Sequence, residues 1–259
     1  MSSQPKTFGR CIPNEGYKVE YIRRINRISK EMEKEVLKEV VQFYRARIAI
    51  DAPLTLRGLF KKLRAKWYKS YNDAATLIAK WLARVVGKRT KADISEQMEK
   101  AGFAITKHYT QSEQDVVREI VITQVKLIKS SPQQYMRKMQ SLVQKAWLDG
   151  RDLKFLTDEL AKLNGGNRRR AELIAKDQMA KVTQRFAERE ALAYGATKAK
   201  WIHVPGEFSS RITHIHMNGE TFEIGVGIYD TAKNVEKFVV PAELPFCQCE
   251  QEFIFPGME

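Results

Sequence analysis

The stretch Ala191-Leu192-Ala193-Tyr194-Gly195-Ala196-Thr197-Lys198-Ala199-Lys200-Trp201-Ile202-His203-Val204 decides the fold. From Arg168 to Tyr194 the residues suit a helix, and Gly195 stops it, because glycine enters the left-handed conformation that ends a helix without strain. From Thr197 onward the chain turns to β-branched and aromatic runs punctuated by Gly and Pro, the signature of short strands. The predicted strands are Lys200 to Val204, Thr221 to Ile224, Lys237 to Val240 and Glu252 to Phe255. Upstream, the apolar spacing is helical throughout. The expected class is α+β: an N-terminal all-helical domain followed by a small module of one helix packed on a mainly antiparallel sheet.

Upstream of that switch, Ile22, Ile25, Ile28, Met32, Val36, Val40 and Phe43 recur at three- and four-residue intervals, one face of a long helix between Tyr17 and Ile50. Pro53 breaks the pattern, and Leu56, Leu59, Phe60, Leu63 and Trp67 restart it on a second helix. Asn72-Asp73 suits the cap of a third helix running to Gly87, and Gly87-Lys88-Arg89-Thr90-Lys91 reads as a basic loop. Ser112 to Lys129 is amphipathic, Ser130-Ser131-Pro132 ends it, Gly150 closes the next segment, and Asp152 to Leu163 forms a short helix. Asn164-Gly165-Gly166-Asn167 reads as a linker. A boundary there divides the chain into a basic helical domain, 1–165, and an α+β module, 166–259.

With 259 residues and 43% hydrophobic side chains the chain can build real cores. No stretch approaches the apolar length of a membrane span, and the N-terminus lacks a signal pattern, so a soluble protein without a membrane partner is expected. Cys11, Cys247 and Cys249 do not make a disulfide framework, which points to synthesis in a reducing cytoplasm. The net charge of +14 is uneven: residues 1–110 hold 24 Lys+Arg against 11 Asp+Glu, while residues 201–259 hold 3 against 9. Two readings fit this basic front: a polyanionic partner, most simply double-stranded DNA held without sequence preference, or an ordinary solvated helical surface. For the first, the candidate phosphate contacts are Arg57, Lys61, Lys62, Arg64, Lys66, Lys69, Arg84, Lys88, Arg89 and Lys91. Trp67 continues the apolar face of its helix and reads as core rather than as a platform for bases.

Polar, metal-capable residues concentrate in Arg211-Ile212-Thr213-His214-Ile215-His216-Met217-Asn218-Gly219 and in Pro241-Ala242-Glu243-Leu244-Pro245-Phe246-Cys247-Gln248-Cys249. On strands, alternate positions share a face, so His214 with His216 and Cys247 with Cys249 form a candidate tetrahedral zinc set. In the metal-free alternative His214 bonds a backbone carbonyl and the cysteines act as small buried apolar residues. A nuclease reading takes the histidines and Arg211 as acid, base and phosphate clamp, but no acidic cluster for Mg²⁺, no phosphate loop and no cysteine with an evident base accompanies them.

Taken in order, Asp177-Gln178, Gly195, Trp201, Arg211-Ile212-Thr213-His214, Asn218-Gly219, Pro241 to Pro245 and Cys247-Gln248-Cys249 resemble the phage Mu F-like minor head protein family, also called phage head morphogenesis proteins. The resemblance spans about residues 167 to 255, and the early Tyr21-Ile22-Arg23-Arg24 element is similar too. The chain departs from the family pattern in having Phe208-Ser209-Ser210 where an acidic residue is common before Arg211, and Gln248 where arginine often separates the cysteines. The resemblance implies a minor, non-enzymatic component of a tailed-phage head, located near the portal vertex and assembled in the host cytoplasm. Its implied partners are the portal protein and the capsid or scaffold, and its implied role is head morphogenesis with genome packaging or delivery. An ejection protein that leaves with the DNA is the alternative from another class.

Overall fold

The computed structural model describes residues 8–45, 52–103, 106–109, 111–149, 153–205 and 210–257. Four long helices come first: α1 (Glu15–Arg45), α2 (Ala52–Lys100), α3 (Glu113–Leu148) and α4 (Leu153–Ala193). Then follow β1 (Lys198–Ile202), the one-turn helix α5 (Ile212–His216), β2 (Thr221–Glu223), β3 (Ile228–Asp230), β4 (Lys237–Val239) and β5 (Glu250–Ile254). The class is α+β, as the sequence implies. Among the described residues no helix is long and apolar enough to cross a membrane.

The helices are fewer and longer than the punctuation suggests. Pro53 lies in the first turn of α2, where its missing N–H is not needed. Asn72 caps nothing: its carbonyl accepts from Thr76 Oγ1 at 2.9 Å inside the helix, and its side chain accepts from Lys129 Nζ at 2.9 Å. Residues 87–91 are helical rather than a loop, and Gly87 is there for space, since a Cβ would stand 2.8 Å from the Phe186 ring. Pro132 lies inside α3, where the Ser130 hydroxyl donates to Leu127 O at 2.7 Å and occupies a carbonyl beside the bond that proline cannot make. Gly150 and Ile50, expected helix ends, fall outside the described residues.

Residues 164–167 are no linker either. α4 runs through them, with Asn164 accepting a hydrogen bond from Tyr135 at 2.9 Å and with Leu156, Leu160 and Ala171 buried on its face. Burial of that face outweighs the helix penalty of two glycines, about 1 kcal/mol each. The boundary expected at 165/166 gives way to two interleaved compact units: Val19–Lys80 with Val121–Leu173, and Met1–Lys18 with Trp81–Ile120 and Ile174–Glu259.

The first of these units is all helical. Met32, Val36 and Val40 of α1, Phe60 and Trp67 of α2, and Ile128, Met136 and Met139 of α3 are buried in it at helical spacing. Trp67 is core, as its periodicity indicates. Two buried polar pairs are satisfied, Tyr21 OH to Gln124 Oε1 at 2.6 Å and Ser29 Oγ with Tyr71 OH at 2.9 Å.

The other unit carries the strands. α4 ends in paired bonds, Ala196 N–H to Ala191 O and Gly195 N–H to Leu192 O, around a Gly195 φ of 88°. β1 is then the centre of an antiparallel sheet ordered β2-β1-β5, with Ala199 opposite both Phe222 and Phe253. β3 and β4 pair separately. β3 is not among the predicted strands; it follows Gly227, where a Cβ would meet Val239 O at 2.1 Å. Trp201, Phe222, Phe253, Phe255, Met217, Cys247 and Cys249 share one core with Ile94, Met98 and Ala191.

The two kinds of helical glycine separate experimentally. Gly165→Ala and Gly166→Ala, with nothing within 4 Å of the new methyl, should each stabilise the protein by about 0.5–1 kcal/mol in urea unfolding. Gly87→Ala should destabilise by roughly 1 kcal/mol, the ring clash exceeding the gain in helix propensity. No effect at 165 and 166 would contradict a continuous α4.

Candidate metal centre

The segment Arg211 to His216, read from the sequence as a strand that places His214 and His216 on one face, makes a helical turn. On a helix, residues three apart share a face, so His214 and Met217 are both buried while Ile212, Ile215 and His216 are exposed. His216 is therefore turned away from His214, and the set His214, His216, Cys247, Cys249 does not assemble. The His214 ring meets the Trp201 indole edge-on, centroids 4.9 Å apart. Its Nε2 stands 3.3 Å from Asp230 Oδ2, a carboxylate with no solvent exposure, at the end of β3. The two atoms face each other without the alignment of a full hydrogen bond, so their coupling is chiefly electrostatic. Asp230 Oδ1 is satisfied by Ala232 N–H at 2.9 Å.

The other face of His214 looks onto the cysteines. Its Nδ1 lies 3.5 Å from Cys247 Sγ and 3.8 Å from Cys249 Sγ, and the three donor atoms all fall within 4.8 Å of one another. Both thiols are buried and unbridged. A hydrogen bond from Cys249, followed by one from His214, holds the Cys247 thiol well below the ordinary range, against the effect of burial. Cys249 is pushed up by donating to Cys247 and by burial, while the Val204 backbone and the Trp201 side chain act in the opposite sense on it. Two sulfurs and an imidazole nitrogen gathered at these distances are donors that a soft divalent cation would complete. His214, Cys247 and Cys249 can hold a metal ion.

The loop that presents the cysteines is strained and tied down. Ala242 and Phe246 both adopt left-handed φ, 65° and 60°, which costs of order 1 kcal/mol or more for a side chain of this size. Asp177 of α4 holds it: Oδ1 accepts from Phe246 N–H at 2.6 Å, while Oδ2 accepts from Gln178 Nε2 at 2.6 Å and pairs with Lys181 at 3.0 Å. Arg211 Nη2 donates to Pro245 O at 3.0 Å, so its cation is committed to the same loop. Asn218 Oδ1 accepts from His203 N–H at 2.8 Å, and Gly219, at φ 87°, donates to Trp201 O at 2.7 Å. Asp177, Gln178, Trp201, Arg211, His214, Asn218, Gly219, Cys247 and Cys249 thus surround or brace one place.

Two participants escape the sequence reading. His203, just past β1, puts its Nδ1 3.6 Å from Cys249 Sγ, and Asp230 backs His214. An isolated aspartate after Tyr229 carries no pattern of its own; His203 is signalled only as the remaining histidine of the module. A cavity of about 320 Å³ opens over the site, lined by His203, Arg211, His214, Cys247 and Cys249 among others. Cys247, His214 and Asp230 also stand in the order nucleophile, base, orienting carboxylate, although no cysteine with a base is legible in the sequence. A nucleophile needs one sulfur, however, and the second sulfur and second histidine around it suit a metal better.

The basic candidates stay on α2. Arg57, Lys61, Lys62, Arg64, Lys66 and Lys69 are exposed in the all-helical unit, and Arg84, Lys88, Arg89 and Lys91 are exposed in the strand-bearing one. Lys66 pairs with Glu35 at 2.6 Å and Arg89 with Asp93 at 3.3 Å. The other eight have no ion pair among the described residues.

Compared with models of known protein families, with characterised proteins and with solved structures, the chain matches none.

Helical placement of the histidines has a direct consequence. His214→Ala should cost about 2–4 kcal/mol in unfolding free energy and Asp177→Ala about 1–3, through lost packing and an orphaned Phe246 N–H. His216→Ala should stay within about 0.5 kcal/mol. Equal losses for the two histidines would contradict the turn.

Proposed function

We propose that this chain is a minor head protein of a tailed phage, associated with the portal vertex, that acts in head morphogenesis and in genome packaging or delivery. The single observation that carries the reading is the convergence at one place of nine residues through which the sequence resembles Mu F-like head proteins, although they span 177 to 249 in the chain. Residues kept together by a shared site, rather than scattered over a surface, are what a common module requires. In this reading the His/Cys centre binds Zn²⁺ and closes the module, and the exposed lysines and arginines of α2 contact DNA phosphates without reading bases. The portal and the capsid or scaffold are the protein partners, and the working location is the head interior, reached from the host cytoplasm. The role is structural rather than enzymatic.

Quantitative protein analysis of purified full and emptied particles tests the assignment: a few copies per particle in both supports a resident portal-vertex protein. Presence in full and absence from emptied particles would favour an ejection protein instead, and absence from both would overturn the reading.

For the DNA interaction, the variant Arg57→Glu with Lys61→Glu, Lys62→Glu and Lys69→Glu should weaken binding of the full chain to duplex of any sequence. The slope of log K against log salt should become shallower by about 0.9 for each phosphate that the variant no longer neutralises. An unchanged slope would place the DNA-binding surface elsewhere.

A further inference from the structure

We propose that His203 is the fourth metal ligand, so that the centre is a closed Cys2His2 set of His203, His214, Cys247 and Cys249. The inference rests on the zinc reading above and adds what that reading leaves open: coordination number, and with it whether the ion is structural or offers a position to substrate. Zinc bound tetrahedrally at about 2.3 Å from sulfur and about 2.0–2.1 Å from nitrogen sets sulfur and nitrogen about 3.6 Å apart. The distances from His214 Nδ1 to the two sulfurs are 3.5 and 3.8 Å, and that from His203 Nδ1 to Cys249 Sγ is 3.6 Å. Three edges of the required figure are therefore present, each contributed by an Nδ1 facing a sulfur.

His203 is also the histidine that the backbone delivers. It follows β1 directly, its N–H is fixed by Asn218, and the preceding strand is anchored by Trp201 against the His214 ring. All four residues line the cavity, but His214, Cys247 and Cys249 are buried whereas His203 is half-buried. A half-buried imidazole can rotate to close on the ion where a buried one could not. Its rivals are otherwise engaged: His216 is exposed on the far side of α5, and Arg211, a cation, donates to Pro245 O. Asp230 behind His214 Nε2 supplies the outer carboxylate that keeps Nδ1 turned to the metal. A fourth protein ligand leaves no open position for water or substrate, so the ion would hold together β1, α5 and the cysteine loop rather than perform chemistry.

The test is X-ray absorption at the zinc edge on the full chain loaded with one equivalent of Zn²⁺, together with visible spectra of the Co²⁺ form. The wild type should show two sulfur and two imidazole donors. His203→Ala should retain two sulfurs with one imidazole, bind zinc at least about tenfold more weakly, and recover its tetrahedral Co²⁺ spectrum when free imidazole is added to the cavity. His216→Ala should keep both imidazoles and wild-type affinity. One imidazole in the wild type, or loss of an imidazole in His216→Ala with none lost in His203→Ala, overturns the inference while the metal reading stands. Failure of the wild type to bind Zn²⁺ or Co²⁺ at all overturns both, and is distinguishable because no spectrum is then obtained.

Discussion

The strand-bearing part of this protein is arranged around one imidazole. His214 is clamped between the Trp201 indole, the Asp230 carboxylate and two thiols, and each neighbour arrives from a different element: β1, the end of β3 and the loop before β5. None of these elements is long enough to be stable alone, since pairings of three residues (β1 with β2, β3 with β4) and five (β1 with β5) supply few hydrogen bonds and little apolar area. The shared contact with His214 makes them interdependent. Burial of a titratable ring among a carboxylate and thiols is costly unless its charges are matched, and both ring nitrogens here face groups that can do so.

The bracing residues form a layer around that imidazole. The cysteine loop bends through two left-handed residues, Ala242 and Phe246, a conformation it would not hold unaided. Asp177 and Arg211 both hold it, one from the last long helix and one from the start of α5. Asn218 and Gly219 do the same for the exit of β1. The residues around the site are thus of two kinds, those that face the sulfurs and those that keep the sulfurs in place.

Much of this is legible in the residue pattern, for identifiable reasons. The switch from helix to strand at Gly195 is strong because the apolar period changes and glycine supplies the φ that the stop needs. Four strands follow from β-branched and aromatic runs within two residues at either end, while β3, no shorter than β2 or β4, does not, because Gly225 and Gly227 break up the run before it and Asp230 ends it. Asn72, Gly87, Pro132 and Gly165 suggest helix ends that the structure does not have: buried apolar faces on either side carry the helices through, and Gly87 answers a packing demand from Phe186 that lies far away in sequence. The cysteines and His214 are visible as composition. Their partners Asp230 and His203 are not, since only tertiary proximity distinguishes them from any other surface-compatible residue.

The central claim is that the His/Cys centre binds a metal that secures the module. Elemental analysis of the full chain purified without chelator, followed by thermal melts before and after chelation, tests it most directly. Thiolate and imidazole ligation predicts about one zinc per chain and, at a thousandfold excess of metal over Kd, a stabilisation of about 4 kcal/mol. Its removal should lower the melting temperature by roughly 10 °C. Substoichiometric zinc with an unchanged melting temperature would contradict the claim and leave Cys247 and Cys249 as packing residues alone.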